Sequence, residues 1–287
     1  MVSLVLTLAM SFHAGSDAPS ETWVRDLLQT KSAQAILAAH AKLRPRPPFP
    51  ATLVPARPGE DSGHLKFSSA FAAILHDAVR RTSELIEDSQ FEEAYQCISD
   101  VDKAHPEFDA AIVDWIIEAE LLAGHYDKAY EDSVVRVASA GSDNNDGRYL
   151  PLSIASAAKG QVFPGQAEYC AKLTQNHLIN QGSAVVVRPP TGTQSAHQVM
   201  VLSAVALGSS PSPGFLELAL RMDPVNDLAA RQAIYYYLCK GRYSDVRRVA
   251  ASVIDHLDPG ESSTYYVETI QSVARLKDKP LHPVIKP

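Results

Sequence analysis

A chain of 287 residues, 46% of them hydrophobic, can bury a substantial core. Its 26 Lys and Arg against 33 Asp and Glu leave a net charge of −7. With no basic stripe beside it, that balance excludes a nucleic-acid scaffold, which carries a positive excess on one face.

The first ten residues, MVSLVLTLAM, form an uncharged apolar run followed by small and polar residues. The run resembles the apolar part of a secretory signal, so residues 1–19 are read as a signal and flexible start, with export to the periplasm or the cell exterior. The alternative is a cytoplasmic protein, because no Lys or Arg precedes Trp23. It is too short to span a bilayer, so no membrane span is expected. Residues 20–43 read as one isolated N-terminal helix. Ser20 stands at its cap and Trp23, Leu27, Ile36, Leu37 and Leu43 recur at helical spacing. The proline-rich stretch 44–64 cannot be a helix or a central strand and reads as an extended linker.

From 65 onward the pattern is helical. An aromatic opens the run at Phe91, Ala94 follows three residues later, and the run stops before Pro106. Tyr126 and Ala129 repeat the pair after an interval of 35 residues, and Asp223-Pro224 recurs as Asp258-Pro259 at the same interval. Periods of this length mark stacked helical hairpins. Gly124 and Gly241 stand at turns between helices, and Ala230, Ala233, Tyr237, Tyr243 and Ala250 supply the small and aromatic positions of a further unit. The middle is looser. Residues 141–149 form a polar loop, 150–160 with 164–180 form a degenerate hairpin, and 181–194 interrupts with AVVVRPP, the one strand-like run. Residues 195–207 and 213–222 make another hairpin, 261–276 reads as a capping helix, and 277–287 as a tail.

These segments resemble tetratricopeptide repeats. The resemblance implies an all-α fold, a right-handed α-solenoid of about five helix-turn-helix hairpins over 65–276, with the N-terminal helix standing apart. It also implies that one stripe of each first helix faces a concave groove. Carried onto this sequence, that stripe is Val79, Ser83 and Ile86 in the first hairpin, Asp114, Glu118 and Leu121 in the second, and Arg231, Tyr235 and Leu238 in the last.

Motifs for chemistry are missing. In EF-hand register the loop DNNDG puts Ser153 where a bidentate Glu is required, so it reads as a loop. The segment RPPTGT lacks the lysine of a phosphate cradle. No histidine pair has zinc-hydrolase spacing, and no serine sits in a nucleophile elbow. Cys97, Cys170 and Cys239 are too few and too widely spaced for a disulfide framework or a metal site, and read as small packed hydrophobes. The expectation is a non-enzymatic scaffold without cofactor that binds a protein or peptide partner. The alternatives are a structural component of an envelope or secretion assembly, and an enzyme with a helical-repeat body.

Overall fold

The structure is a computed structural model, and it describes residues 22–42, 52–53, 65–66, 69–106, 109–139, 149–180, 187, 195–208 and 213–254. The apolar run at the start, the loop 141–148, most of the insertion 181–194, the expected capping helix and the tail lie outside the described residues. The chain divides into two compact units, Val24–Asp143 and Met1–Trp23 with Asn144–Pro287. The described residues are helical and neighbouring helices pack on one another, except for one two-residue antiparallel pair. In that pair β1 (Thr52–Leu53) lies beside β2 (Leu65–Lys66), with Thr52 opposite Lys66. Part of the expected linker is therefore paired backbone, and the helical body begins at Ser69 rather than at 65.

The single helix expected over 20–43 is two, α1 (Thr22–Leu28), which begins in the second unit and passes into the first at Val24, and α2 (Lys31–His40), which lies in the first. Thr30 makes the break. Its hydroxyl accepts from Ala33 N at 3.3 Å to cap α2 and donates to Leu27 O at 2.8 Å, so one side chain satisfies both helix ends. Nor does this N-terminal part stand apart: α2 packs on α6 (Tyr126–Ser139). The body is α3 (Ser69–Glu87), α4 (Phe91–Ala104), α5 (Asp109–Ala123) and α6. Each packs on the next, and α3 also touches α5. Ala78, Ile98, Ile112, Ile116 and Ala119 form the core between the two pairs, with Leu75, Tyr95 and Trp115 against it.

In the second unit α7 (Tyr149–Ala158) and α8 (Gln166–Asn180) both pack on α9 (Ala196–Gly208), which in turn packs on α10 (Pro213–Met222) and α11 (Asp227–Cys239). The closing helix is α12 (Tyr243–Ile254), packed on α11. The sequence of α9, AHQVMVLSAVALG, is apolar around most of its circumference, as a helix enclosed on several sides must be. At its end a Cβ on Gly208 would lie 2.6 Å from Leu216 Cγ and 2.8 Å from Leu216 N, so only glycine lets α10 approach this closely. Trp23, fully buried, belongs to this unit and meets Tyr149 edge to face and Tyr169 at a tilt, with ring separations of 6.5 and 5.5 Å.

One turn recurs. Ser89, Gly124, Gly160 and Gly241 have φ of +60°, +86°, +72° and +70°. Each sends its N–H back three residues (to Ile86, Leu121, Ala157 and Leu238 O). The residue after each sends its own back five (to Leu85, Glu120, Ser156 and Tyr237 O). This paired bonding satisfies the last carbonyls of α3, α5, α7 and α11. In three of the four the return helix starts two residues on, with the half-buried Phe91, Tyr126 or Tyr243. Three residues further come Ala94, Ala129 and Val246, all fully buried.

The small side chain at two of these positions sets how near the paired helices lie. Ala94→Leu or Ala129→Leu is expected to destabilise the fold by ~1–3 kcal/mol through overpacking, read as a drop in thermal midpoint. Unchanged midpoints for both overturn this register. Ser89 occupies a conformation that L-residues adopt at a penalty of roughly 1–2 kcal/mol, where the other three turns use glycine. Ser89→Gly is therefore expected to raise the thermal midpoint, by less than the full penalty because glycine also loosens the unfolded chain. A lowered midpoint overturns the assignment of strain there.

Candidate functional site

Asn226 starts α11, its side chain accepting from Ala229 N at 3.0 Å. One side of the helix is then committed to packing, with Ala229, Ala230, Ala233, Ile234 and Tyr237 buried. Helical spacing leaves Leu228, Arg231, Tyr235 and Leu238 on another stripe, where Tyr235 is 61% exposed and the other three are half-buried. The Arg231 guanidinium Nε bonds both Asp227 oxygens, one turn back, at 3.0 and 2.8 Å.

The packed side of α11 is held by charge. Tyr237 donates its hydroxyl to Glu217 Oε1 of α10 at 2.6 Å, and Arg248 of α12 engages both oxygens of the same carboxylate. Burial and the bond to Glu217 push the Tyr237 phenol far up, so it stays a donor. Arg242 covers the Tyr237 ring at 5.0 Å and bonds Asp245 at 2.8 Å. Tyr235 thus stands on a helix whose rotation is fixed from behind.

The other expected positions fare differently. Val79 and Ser83 on α3 are half-buried, while Ile86 is 4% exposed and belongs to the core. On α5, Asp114 is exposed and accepts from Arg136 Nε and Nη2 of α6 at 2.8 and 3.0 Å, Glu118 is half-buried, and Leu121 is fully buried. Ile86 and Leu121 are therefore corrected from the expected binding face to the interior. Both stand three residues before the left-handed turn residue, a place that is closed over in α3 and α5 and only half-covered at Leu238 of α11. The cysteines are corrected in part. Only Cys170 is buried, Cys97 being half-buried and Cys239 exposed.

Two polar clusters escaped the sequence reading. In the second unit Ser153 Oγ lies 2.8 Å from Ser203 Oγ, and Cys170 Sγ lies 3.3 and 3.1 Å from these hydroxyls. Gln166 Nε2 donates to Ser153 Oγ at 2.9 Å and Ser156 Oγ at 3.1 Å. This knot ties α7 and α8 to α9. Burial pushes the Cys170 thiol up to about 11, so at neutral pH it is a hydrogen-bonding thiol and a poor nucleophile. In the first unit Glu120 of α5 is fully buried, with one oxygen held by Lys128 of α6 and the other without a partner. Lys128 also lies 3.7 Å from Asp132 and 5.3 Å from the centre of the Tyr95 ring on α4. The only hint in the sequence is that Glu120 is the second of two carboxylates, after Glu118, inside the apolar run IIEAELLA.

No protein-family model, curated protein or solved structure matches this chain. Among the described residues no helix is long and apolar enough to cross a membrane.

Burial pushes the Glu120 carboxyl up from 4.5 to about 7, with Asp132 adding to the shift and Lys128 opposing it. Between those values the folded chain keeps a proton that the unfolded chain has released, so stability falls as pH rises through the window. Thermal midpoints measured across it should decline for the wild type and stay flatter for Glu120→Gln. Parallel profiles remove Glu120 as the cause.

Proposed function

We propose that this protein is a non-enzymatic scaffold that binds a protein or peptide, its body a right-handed solenoid of about five tetratricopeptide-like hairpins. The repeated turn supports the reading: left-handed residue, aromatic two positions on, small buried residue five positions on, found at Ser89, at Gly124 and, with valine for alanine, at Gly241. The observation that carries the function is Tyr235. A tyrosine 61% exposed, flanked by half-buried Leu228, Arg231 and Leu238, sits on a helix locked from behind by Tyr237, Glu217 and Arg248. Aromatic anchors on rigid elements lose little entropy when a partner covers them. What remains of the expected stripe is, in the second unit, the α11 face and, in the first unit taken by itself, Val79, Ser83, Asp114 and Glu118. The charges Asp114 and Arg231 are each already compensated within their own helical pair, so they orient a partner more than they attract it.

A photo-crosslinking residue at position 235 of the full-length chain is expected to capture the partner. Affinity of that partner for Arg231→Glu combined with Tyr235→Ala should then fall by about tenfold or more, in a variant whose circular dichroism is that of the wild type. An unchanged affinity in the folded double variant moves the site off α11.

A further inference from the structure

The first helical pair has a second side. Against α5 it presents the core face; beside that face, sharing Ala78 and Val101 with it, the two helices enclose an open groove of about 650 Å³ that no α5 residue lines. Ile74, Ala78 and Leu85 from α3 and Cys97, Val101 and Ala104 from α4 form its apolar lining. Ile74, at 38%, is one of the few large hydrophobic side chains exposed among the described residues. The rim is charged. Asp77 is engaged by Arg80, and Asp100 by Gln96 and Lys103. Arg81 on α3 and Glu93 on α4, both exposed, have no ion pair or hydrogen bond among the described residues.

The next pair shows what such a face takes. Ser89 with Phe91 and Gly124 with Tyr126 put α4 and α6 in one register. In that register the groove positions Gln96, Cys97 and Asp100 of α4 correspond to Glu131, Asp132 and Val135 of α6. Those α6 residues border the cleft beside which α2 packs, opposite the exposed Ala35, Ala39 and His40 and the half-buried Ile36. A short helix with alanine and isoleucine toward its neighbour thus lies on the α6 face, and among the described residues no helix lies on the corresponding face of α4.

We propose that the α3/α4 groove docks one amphipathic helix of a partner protein. That helix carries alanine and aliphatic residues on its apolar side, an acidic side chain for Arg81 and a basic one for Glu93. The apolar floor supplies affinity and the two opposed rim charges fix the direction of the helix, as in other helix-in-groove interactions. This surface is separate from the α11 stripe, so either can fail without the other.

The probe is a fluorescein-labelled, helix-stapled peptide of residues 31–42 with Ala41→Glu, which sets Lys31 at one end of the helix and the new carboxylate at the other. Fluorescence anisotropy with the full-length chain is expected to show saturable binding. Binding should weaken about tenfold with Ala104→Lys, which puts a charge into the groove from an exposed position. A similar loss with Arg81→Glu should be restored by a peptide with Lys at position 41 in place of Glu. The variant Arg231→Glu with Tyr235→Ala should bind the peptide as the wild type does. The proposal is overturned by absence of binding, by binding that neither groove variant weakens, or by binding lost in the α11 double variant. It is also overturned by a concentration-dependent dimer of the chain alone that Ala104→Lys dissolves, which would make the occupant a second copy.

Discussion

A helix that ends in water can fray, but one that must pass the chain to an antiparallel neighbour has to reverse direction within two residues. It must do so without stranding its last carbonyls. The left-handed residue at the ends of α3, α5, α7 and α11 solves both problems, because its own N–H and that of the next residue turn back onto those carbonyls. The rest of the packing depends on this. Where the return helix begins two residues later, its first aromatic is delivered against the first helix, and the fully buried residue three positions on sets how near the two axes lie. The pair at Gly160 shows what happens when the spacing changes. There α8 begins six residues after the turn, and α7 and α8 meet chiefly through α9 and the side chains of Gln166 and Cys170.

Polar groups inside the two units have contrasting roles. The knot of Ser153, Ser203, Cys170 and Gln166 is neutral and mutually bonded, so it fixes the register of three helices with little desolvation penalty. Glu120 is the opposite case, a buried carboxylate with one oxygen lacking a partner, tolerable because it can take up a proton and because Lys128 reaches it from a half-exposed position. In the repeat register it stands where the first pair has Leu85, so the same site is apolar in one pair and ionisable in the next.

Much of the helix layout was legible because its signals are local. Phe91, Tyr126 and Tyr243 each follow a turn residue by two positions, and the helices begin at those residues. The stripe of α11 was legible for a similar reason: a period of 3.6 separates Tyr235 from Tyr237 whatever lies around them. The break at Thr30 was not, because the apolar spacing of Trp23, Leu27, Ile36 and Leu37 continues across it and a threonine within a helix looks the same as a threonine capping one. Ile86 and Leu121 were misplaced because a helical wheel treats every turn alike, whereas the cover over the last turn before a reversal differs between pairs, complete at Ile86 and Leu121 and partial at Leu238. The α3/α4 groove was invisible at that stage, since its floor of Ile74, Leu85 and Val101 reads as ordinary core until the helix that would cover it fails to appear among the described residues.

Glu217 has a wider consequence than holding Tyr237 in place. It lies on α10, while its partners Tyr237 and Arg248 lie on α11 and α12, so a single carboxylate joins one helical pair to both members of the next. Arrays of helical pairs tend to open one unit at a time from an end, each opening limited only by the interface to its neighbour. Here, separating the last pair from α10 would strand a carboxylate, a phenol and a guanidinium together. The three helices are therefore expected to open together, with backbone amides in α10, α11 and α12 exchanging hydrogen at similar opening free energies.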